Sequence, residues 1–185
     1  LSHRIGTTAQ PVLGKKGDDL RIDWGYLYQA TARGEGVSQT VASDASARDG
    51  FVASGSLPAL DARKPRAASD AWPVLATSFQ LPGTTGEWSS RTLVLAYDDE
   101  FSIEYMGTRL RPYWRKDGAI AVDLLTRSIR EYPALFERAK ECDAELSRDL
   151  ACRFGADFLR VALLSYRQAF AAHKLTVGLD GTPLF

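Results

Sequence analysis

Residues 95–115, LAYDDEFSIEYMGTRLRPYWR, hold the densest mixture of aromatic and charged side chains in this 185-residue chain. Upstream of them, apolar residues alternate with polar ones, as on strands with one buried face. Downstream they recur at helical spacing. The change of period, from two to about 3.6, marks where one architecture hands over to another. The chain therefore reads as α+β: an antiparallel β-sandwich segment followed by about three α-helices. The expected division is a sandwich segment over 1–107, a linker over 108–118 and helices over 119–185.

Working upstream, residues 88–97 form a strand candidate with Leu93 and Leu95 on one face, and 101–106 is expected to pair with it across Asp98-Asp99-Glu100. Residues 73–81 (PVLATSFQL) form another, closed by Pro82-Gly83. Residues 43–70 are rich in Ser, Ala, Asp and Arg and read as loop, with a short strand near 51–53. Lys64-Pro65-Arg66 and Asp70 fall in that loop. Residues 22–31 (IDWGYLYQAT) alternate cleanly, with Trp24, Tyr26, Tyr28 and Ala30 on one face and Asp23, Gly25, Leu27 and Gln29 on the other. Gly34 and Gly36 break that run, and 37–42 is expected to return as a strand. Residues 1–20 read as loop with a short strand at 11–13.

Working downstream, 119–130 places Ile120, Leu124, Leu125 and Ile129 at helical spacing, with Arg127 and Arg130 in the last turn. Pro133 suits the opening turn of a second helix over 134–152. Gly155 interrupts, and a third helix covers 156–174. The third carries Phe158, Val161, Leu163, Leu164, Tyr166 and Phe170, a stripe wide enough to require neighbours on several sides. Asp180-Gly181 is a hairpin-turn signal near the end of the chain. These features suggest a piece of a larger protein, with further partners for the third helix beyond Phe185.

Lys plus Arg and Asp plus Glu both number 23, so no net field points to nucleic acid or an anionic membrane as partner. No apolar run approaches the roughly 20 residues that span a bilayer, and no targeting leader is visible. Cys142 and Cys152, ten positions apart on one helix, would sit about 15 Å apart, too far for a disulfide. They are expected to be buried free thiols. With two Cys and two His, no structural zinc is expected, and no other metal or cofactor.

Several ordered motifs give the chain a resemblance to a known family. They are Asp23-Trp24-Gly25-Tyr26-Leu27-Tyr28, Pro65-Arg66 with Asp70 and Pro73-Val74-Leu75-Ala76, and Leu95-Ala96-Tyr97-Asp98-Asp99 with Ser102-Ile103 and Tyr105. Pro112-Tyr113-Trp114-Arg115 follows, then Cys142 with Asp149, then the uninterrupted run from Tyr166 through His173-Lys174-Leu175. In this order, from Trp24 to Phe185, the chain resembles the microbial glutaminase A family. It departs from the pattern at Phe154-Gly155-Ala156, where a Gly-Gly step is usual, and at Met106, where an aromatic is usual. The resemblance implies a β-sandwich followed by an α/α-toroid of the six-hairpin type. It also implies hydrolysis of L-glutamine to L-glutamate and ammonia by the whole protein, with this stretch mainly structural at the domain junction. Its partners would be the remainder of the parent chain and the small-molecule substrate. Secretion or a periplasmic location is a further implication for the parent.

Amide hydrolysis needs a nucleophile or activated water, an oxyanion stabiliser and a proton donor for the leaving amine. Neither Ser-x-x-Lys nor Gly-x-Ser-x-Gly occurs. Asp98 and Asp99 are the catalytic candidates, although successive residues on a strand point to opposite faces and cannot form a facing pair. Trp114 and Arg115 offer a stacking face and an anion clamp for substrate binding. Arg167 and His173 are further substrate-binding candidates, against the plainer account that cations favour a helix C-terminus. The four tryptophans support an alternative reading. In that reading a carbohydrate-active protein of sandwich-plus-toroid architecture stacks Trp24, Trp72, Trp88 or Trp114 on sugar rings.

Overall fold

The computed structural model describes residues 1–7, 24–61, 63, 66–83, 86, 88–153 and 155–185. The expected strand at 11–13, and Asp23, Lys64, Pro65 and Phe154 of the motifs above, lie outside the described residues. The chain is α+β, with antiparallel sheets followed by helices, and forms two compact units, Leu1–Asp99 and Glu100–Phe185.

In the first unit, β1 (Ser2–Thr7), β2 (Gly25–Ala30) and β5 (Val94–Asp98) form an antiparallel sheet with β2 in the middle. The alternation expected for β2 holds: Trp24, Tyr28 and Ala30 are buried, and Leu27 is exposed. A second sheet pairs β3 (Val37–Ser43) with β4 (Pro73–Phe79) in continuous register from Val37↔Phe79 to Ser43↔Pro73. The segment at 37–42 is thus a strand, but it does not return along β2. Its partner is β4, while both sides of β2 are taken by β1 and β5. β1 comes close to β3 and β4, which brings the two sheets together around buried Val41 and Ala42.

The expected loop and short strand near 51–53 are instead a helix, α1 (Asp44–Ser54). Its ends explain it. Ser43 Oγ accepts from the Ser46 amide at 3.1 Å, and Gly55 closes the helix in the left-handed region with its amide on the Phe51 carbonyl at 2.8 Å. Ala47 is its one buried residue, so it displays almost no apolar stripe.

In the second unit, β6 (Ile103–Tyr105) pairs with β7 (Thr108–Leu110), not with β5. The turn is Met106-Gly107, with φ of +47° and +76°, the doubly left-handed geometry of a tight hairpin. Asp98-Asp99-Glu100 lacks that chemistry: Asp99 ends the first unit and Glu100 begins the second. A 3-10 turn (Tyr113–Arg115) leads to α2 (Ala121–Arg153), a single 33-residue helix. The two helices expected on either side of Pro133 are therefore one. Pro133 removes one backbone donor, and an exposed turn tolerates that loss within a long helix. Leu125 is buried and Leu124 half-buried. Cys142 and Cys152 are free as expected but exposed, since that length of α2 is exposed on most sides.

After Gly155 comes α3 (Ala156–Ala172). Arg167 Nη2 donates to Asp143 at 3.0 Å, a pairing symmetric about Gly155, as in a reversing helical hairpin. A final hairpin joins β8 (Thr176–Val177) to β9 (Pro183–Leu184). Its turn is the expected Asp180-Gly181, where Asp180 Oδ1 accepts from the Thr182 amide at 3.0 Å and hydroxyl at 2.6 Å. Among the described residues, no helix is long and apolar enough to cross a membrane.

Candidate functional site

The two acidic candidates close the first unit. Asp98 ends β5 opposite Tyr26 and is 4% exposed, and Asp99 is 8% exposed. Their backbone is clamped to the motif at the start of β2. Trp24 Nε1 donates to the Asp99 carbonyl at 3.0 Å, and the Tyr97 hydroxyl donates to the Trp24 carbonyl. Gly25, at φ +92°, sits so close that a Cβ there would overlap the Asp98 carbonyl oxygen. Two stretches far apart in sequence thus meet in one knot of backbone and ring contacts. Trp24 is spent within it and is too buried to stack on a sugar ring, whereas Trp72 and Trp88 are exposed.

The other candidates lie in the second unit. Trp114 and Arg115 occupy the 3-10 turn, both half-buried, with the Arg115 guanidinium 4.5 Å from the Trp114 ring centre. The same turn is tied to the end of the chain. The Tyr113 amide donates to the Leu175 carbonyl at 3.0 Å, and the Val177 amide donates to the Arg111 carbonyl at 3.0 Å. His173 lies two residues before that tie. Its Nδ1 is 2.5 Å from the Ala169 carbonyl, and its ring stacks on Phe185 at 5.0 Å. Tyr166, Phe170, Phe185 and His173 form a continuous run of rings, with Tyr166 to Phe170 at 4.8 Å and Phe170 to Phe185 at 5.4 Å. Arg167 takes no part in that run, because its guanidinium is on Asp143 of α2. Trp114, Arg115 and His173 therefore belong to one braced region, while Arg167 braces the helical hairpin.

Among shifted ionisable groups, Lys116 is held protonated to higher pH by the Tyr113 hydroxyl 3.0 Å away. Glu131 is held below the ordinary carboxylate range by Arg127 and then Arg130. Both pairs are exposed and stabilise local geometry, not a reaction. Among the described residues, no group of three or more His, Cys, Asp or Glu could hold a metal. The sequence reading gave no role to Arg66, whose side chain is buried and paired with Asp61. Its signal is the placement of Asp61 and Asp70 on either side of the basic run Arg63, Lys64 and Arg66.

Fold and site together define a class: an α+β chain whose antiparallel sheets, locked by buried aromatic and acidic residues, precede a helical hairpin. The chain belongs to the family described as Domain of unknown function (DUF5127), which matches residues 1–149. It is also related, at a distance, to "Glutaminase A" of Aspergillus oryzae (strain ATCC 42149 / RIB 40). The two are 32% identical over 167 residues, a match that covers 88% of this chain. The chain spans only 24% of that relative's length. No solved structure matches it.

Proposed function

We propose that this chain is the junction segment of a longer glutaminase-like amidohydrolase, in which water cleaves the side-chain amide of L-glutamine to give L-glutamate and ammonia. The observation that carries the reading is the 32% identity to a protein named glutaminase A, sustained over 88% of this chain. In this reading residues 1–107 are the sandwich segment, 108–118 the connection, and 119–185 the opening helices of an α/α-toroid. The segment's own part is mainly structural. Asp98 and Asp99 hold the end of β5, and Arg167 and His173 brace the helices. Trp114 and Arg115 are the residues assigned to substrate, the guanidinium on its carboxylate and the ring against its aliphatic carbons.

Ammonia release from L-glutamine, measured for the longer protein and for this chain alone, tests the proposal. Release by the longer protein only is the expected result. A longer protein that leaves glutamine intact and instead binds or cleaves a glycoside would overturn it. In the longer protein, Arg115→Lys keeps the charge but loses the two-pronged donor. It is expected to raise KM about tenfold with kcat little changed.

A further inference from the structure

The first unit contains a cavity of about 550 Å³ whose wall includes Arg4 and Ile5 of β1, Tyr26 of β2, Val41 of β3, Arg66 and Pro73. Arg66 is the unusual member. Its side chain is 8% exposed, so it is more than nine-tenths buried. Nη1 donates to the Asp61 carboxylate, but Nε and Nη2 have no hydrogen-bond partner. Among the described residues Asp70 also stands within ion-pair range, 3.9 Å from Nε, but beyond hydrogen-bond reach. Buried donors are rarely left unmet, and a charged pair of them calls for an acceptor.

The unmet atoms also specify that acceptor. Nε and Nη2 form one edge of the planar guanidinium, and their two parallel N–H groups match the two oxygens of a carboxylate. What is unmet at Arg66 is this hydrogen-bonding edge, not its charge, since Asp61 and Asp70 both stand within ion-pair range. Asp61 is shared with Arg63, which donates to it from its backbone amide at 2.9 Å and from Nη2 at 3.2 Å. Arg4 adds a second cation to the wall, its guanidinium 4.4 Å from the Tyr26 ring centre, and no carboxylate is among the described residues of the lining. Ile5, Val41, Pro73 and the Tyr26 ring supply apolar surface beside these cations. The volume suits a small organic ligand.

We propose that this cavity binds a small organic monocarboxylate, with Arg66 as its two-pronged anchor, Arg4 as a supporting cation and the apolar wall around its hydrocarbon body. An ammonium group would meet Arg4 and Arg66, with no acid among the described residues of the lining, so free amino acids are expected to bind less well than a monocarboxylate. The site is therefore independent of the glutamine chemistry proposed above.

Benzoate is a suitable probe, titrated calorimetrically at constant ionic strength, with L-glutamine and inorganic phosphate in parallel. Saturable one-to-one binding of benzoate, at least about tenfold tighter than either comparison ligand, is expected. Arg66→Lys should weaken it at least about tenfold, the loss of one charge-assisted hydrogen bond. Arg4→Gln, at an exposed position of β1, should weaken it about threefold. Asp70→Asn removes the competing carboxylate and should tighten it. If Arg66→Lys fails to fold, a benzoate-dependent shift of the Arg66 Nε–H resonance in the unaltered protein gives the same information. No saturable binding would overturn the proposal. So would equal affinity for phosphate, an unmoved Arg66 resonance, or equal or weaker binding in Asp70→Asn. Glutaminase activity of the longer protein bears on none of these outcomes.

Discussion

At the scale of single residues, the clearest links between sequence and structure are backbone positions that only certain side chains allow. Gly25 has φ +92° and no room for a Cβ against the Asp98 carbonyl. Gly25→Ala should therefore destabilise the first unit by more than about 2 kcal/mol, measured by urea unfolding, since strain and overlap add. Met106 makes the opposite case. It adopts φ +47° at the first position of a two-residue turn that favours Asn. Met106→Asn should stabilise the second unit by about 0.5–1 kcal/mol, read as a raised unfolding midpoint. Asp61 carries a pH signature. Hydrogen bonds from the Arg63 side chain and amide, and then the nearby charge of Arg66, hold its folded-state pKa below the ordinary carboxylate value. A depressed pKa means that the stabilisation is present above the unfolded-state value and disappears as pH falls through the folded one. Unfolding midpoints followed from about pH 5 to about pH 2 should decline less steeply in Asp61→Asn than in the unaltered protein. The face of β2 was legible because alternation in Trp24, Tyr28 and Ala30 is a local signal. The Arg66 cavity was not, because its wall comes from four strands and a loop that no spacing connects.

At the scale of elements, what could be read depended on whether an element announces itself by its buried face or by its ends. Strand β2 did so by alternation, whereas β1 (Ser2–Thr7) lies in a stretch that reads as loop. Helix α1 did not, since it buries only Ala47 and is defined by Ser43 and Gly55 at its ends. Ser43→Ala should cost about 1 kcal/mol, detected as earlier unfolding of the first unit in urea. Pairing partners were equally hidden. The strand at 37–42 could be seen, but its choice of β4 over β2 depends on β1 and β5 already occupying β2. Pro133 misled for the converse reason, because a proline that opens many helices here lies inside one. The Tyr113–Arg115 turn and its tie to Leu175–Val177 were half legible. The aromatic and basic residues stood out, whereas the backbone bonds that place them near His173 join positions about sixty apart.

At the scale of the molecule, α3 is the element whose sequence and surroundings disagree. Its composition calls for neighbours on several sides, yet none of its described residues is buried, and Phe158, Val161 and Leu164 are 50%, 62% and 57% exposed. Burying those three side chains would contribute several kcal/mol by area alone, so leaving them in water forgoes much of the stabilisation the sequence offers. Exposed apolar surface on that scale tends to find a partner, and in a solution of this chain another copy is the one available. The double variant Val161→Lys, Leu164→Lys therefore separates two accounts of the helix. If the residues serve no contact within this chain, the variant should unfold within about 0.5 kcal/mol of the original. Its tendency to self-associate, measured by sedimentation at rising concentration, should fall. In the longer glutaminase-like protein proposed above, the same two lysines should be strongly destabilising, because there the helix would be enclosed and each charge buried without a partner. Equal tolerance in both proteins would mean that α3 is simply an exposed apolar helix, and the proposed toroid would lose its physical support.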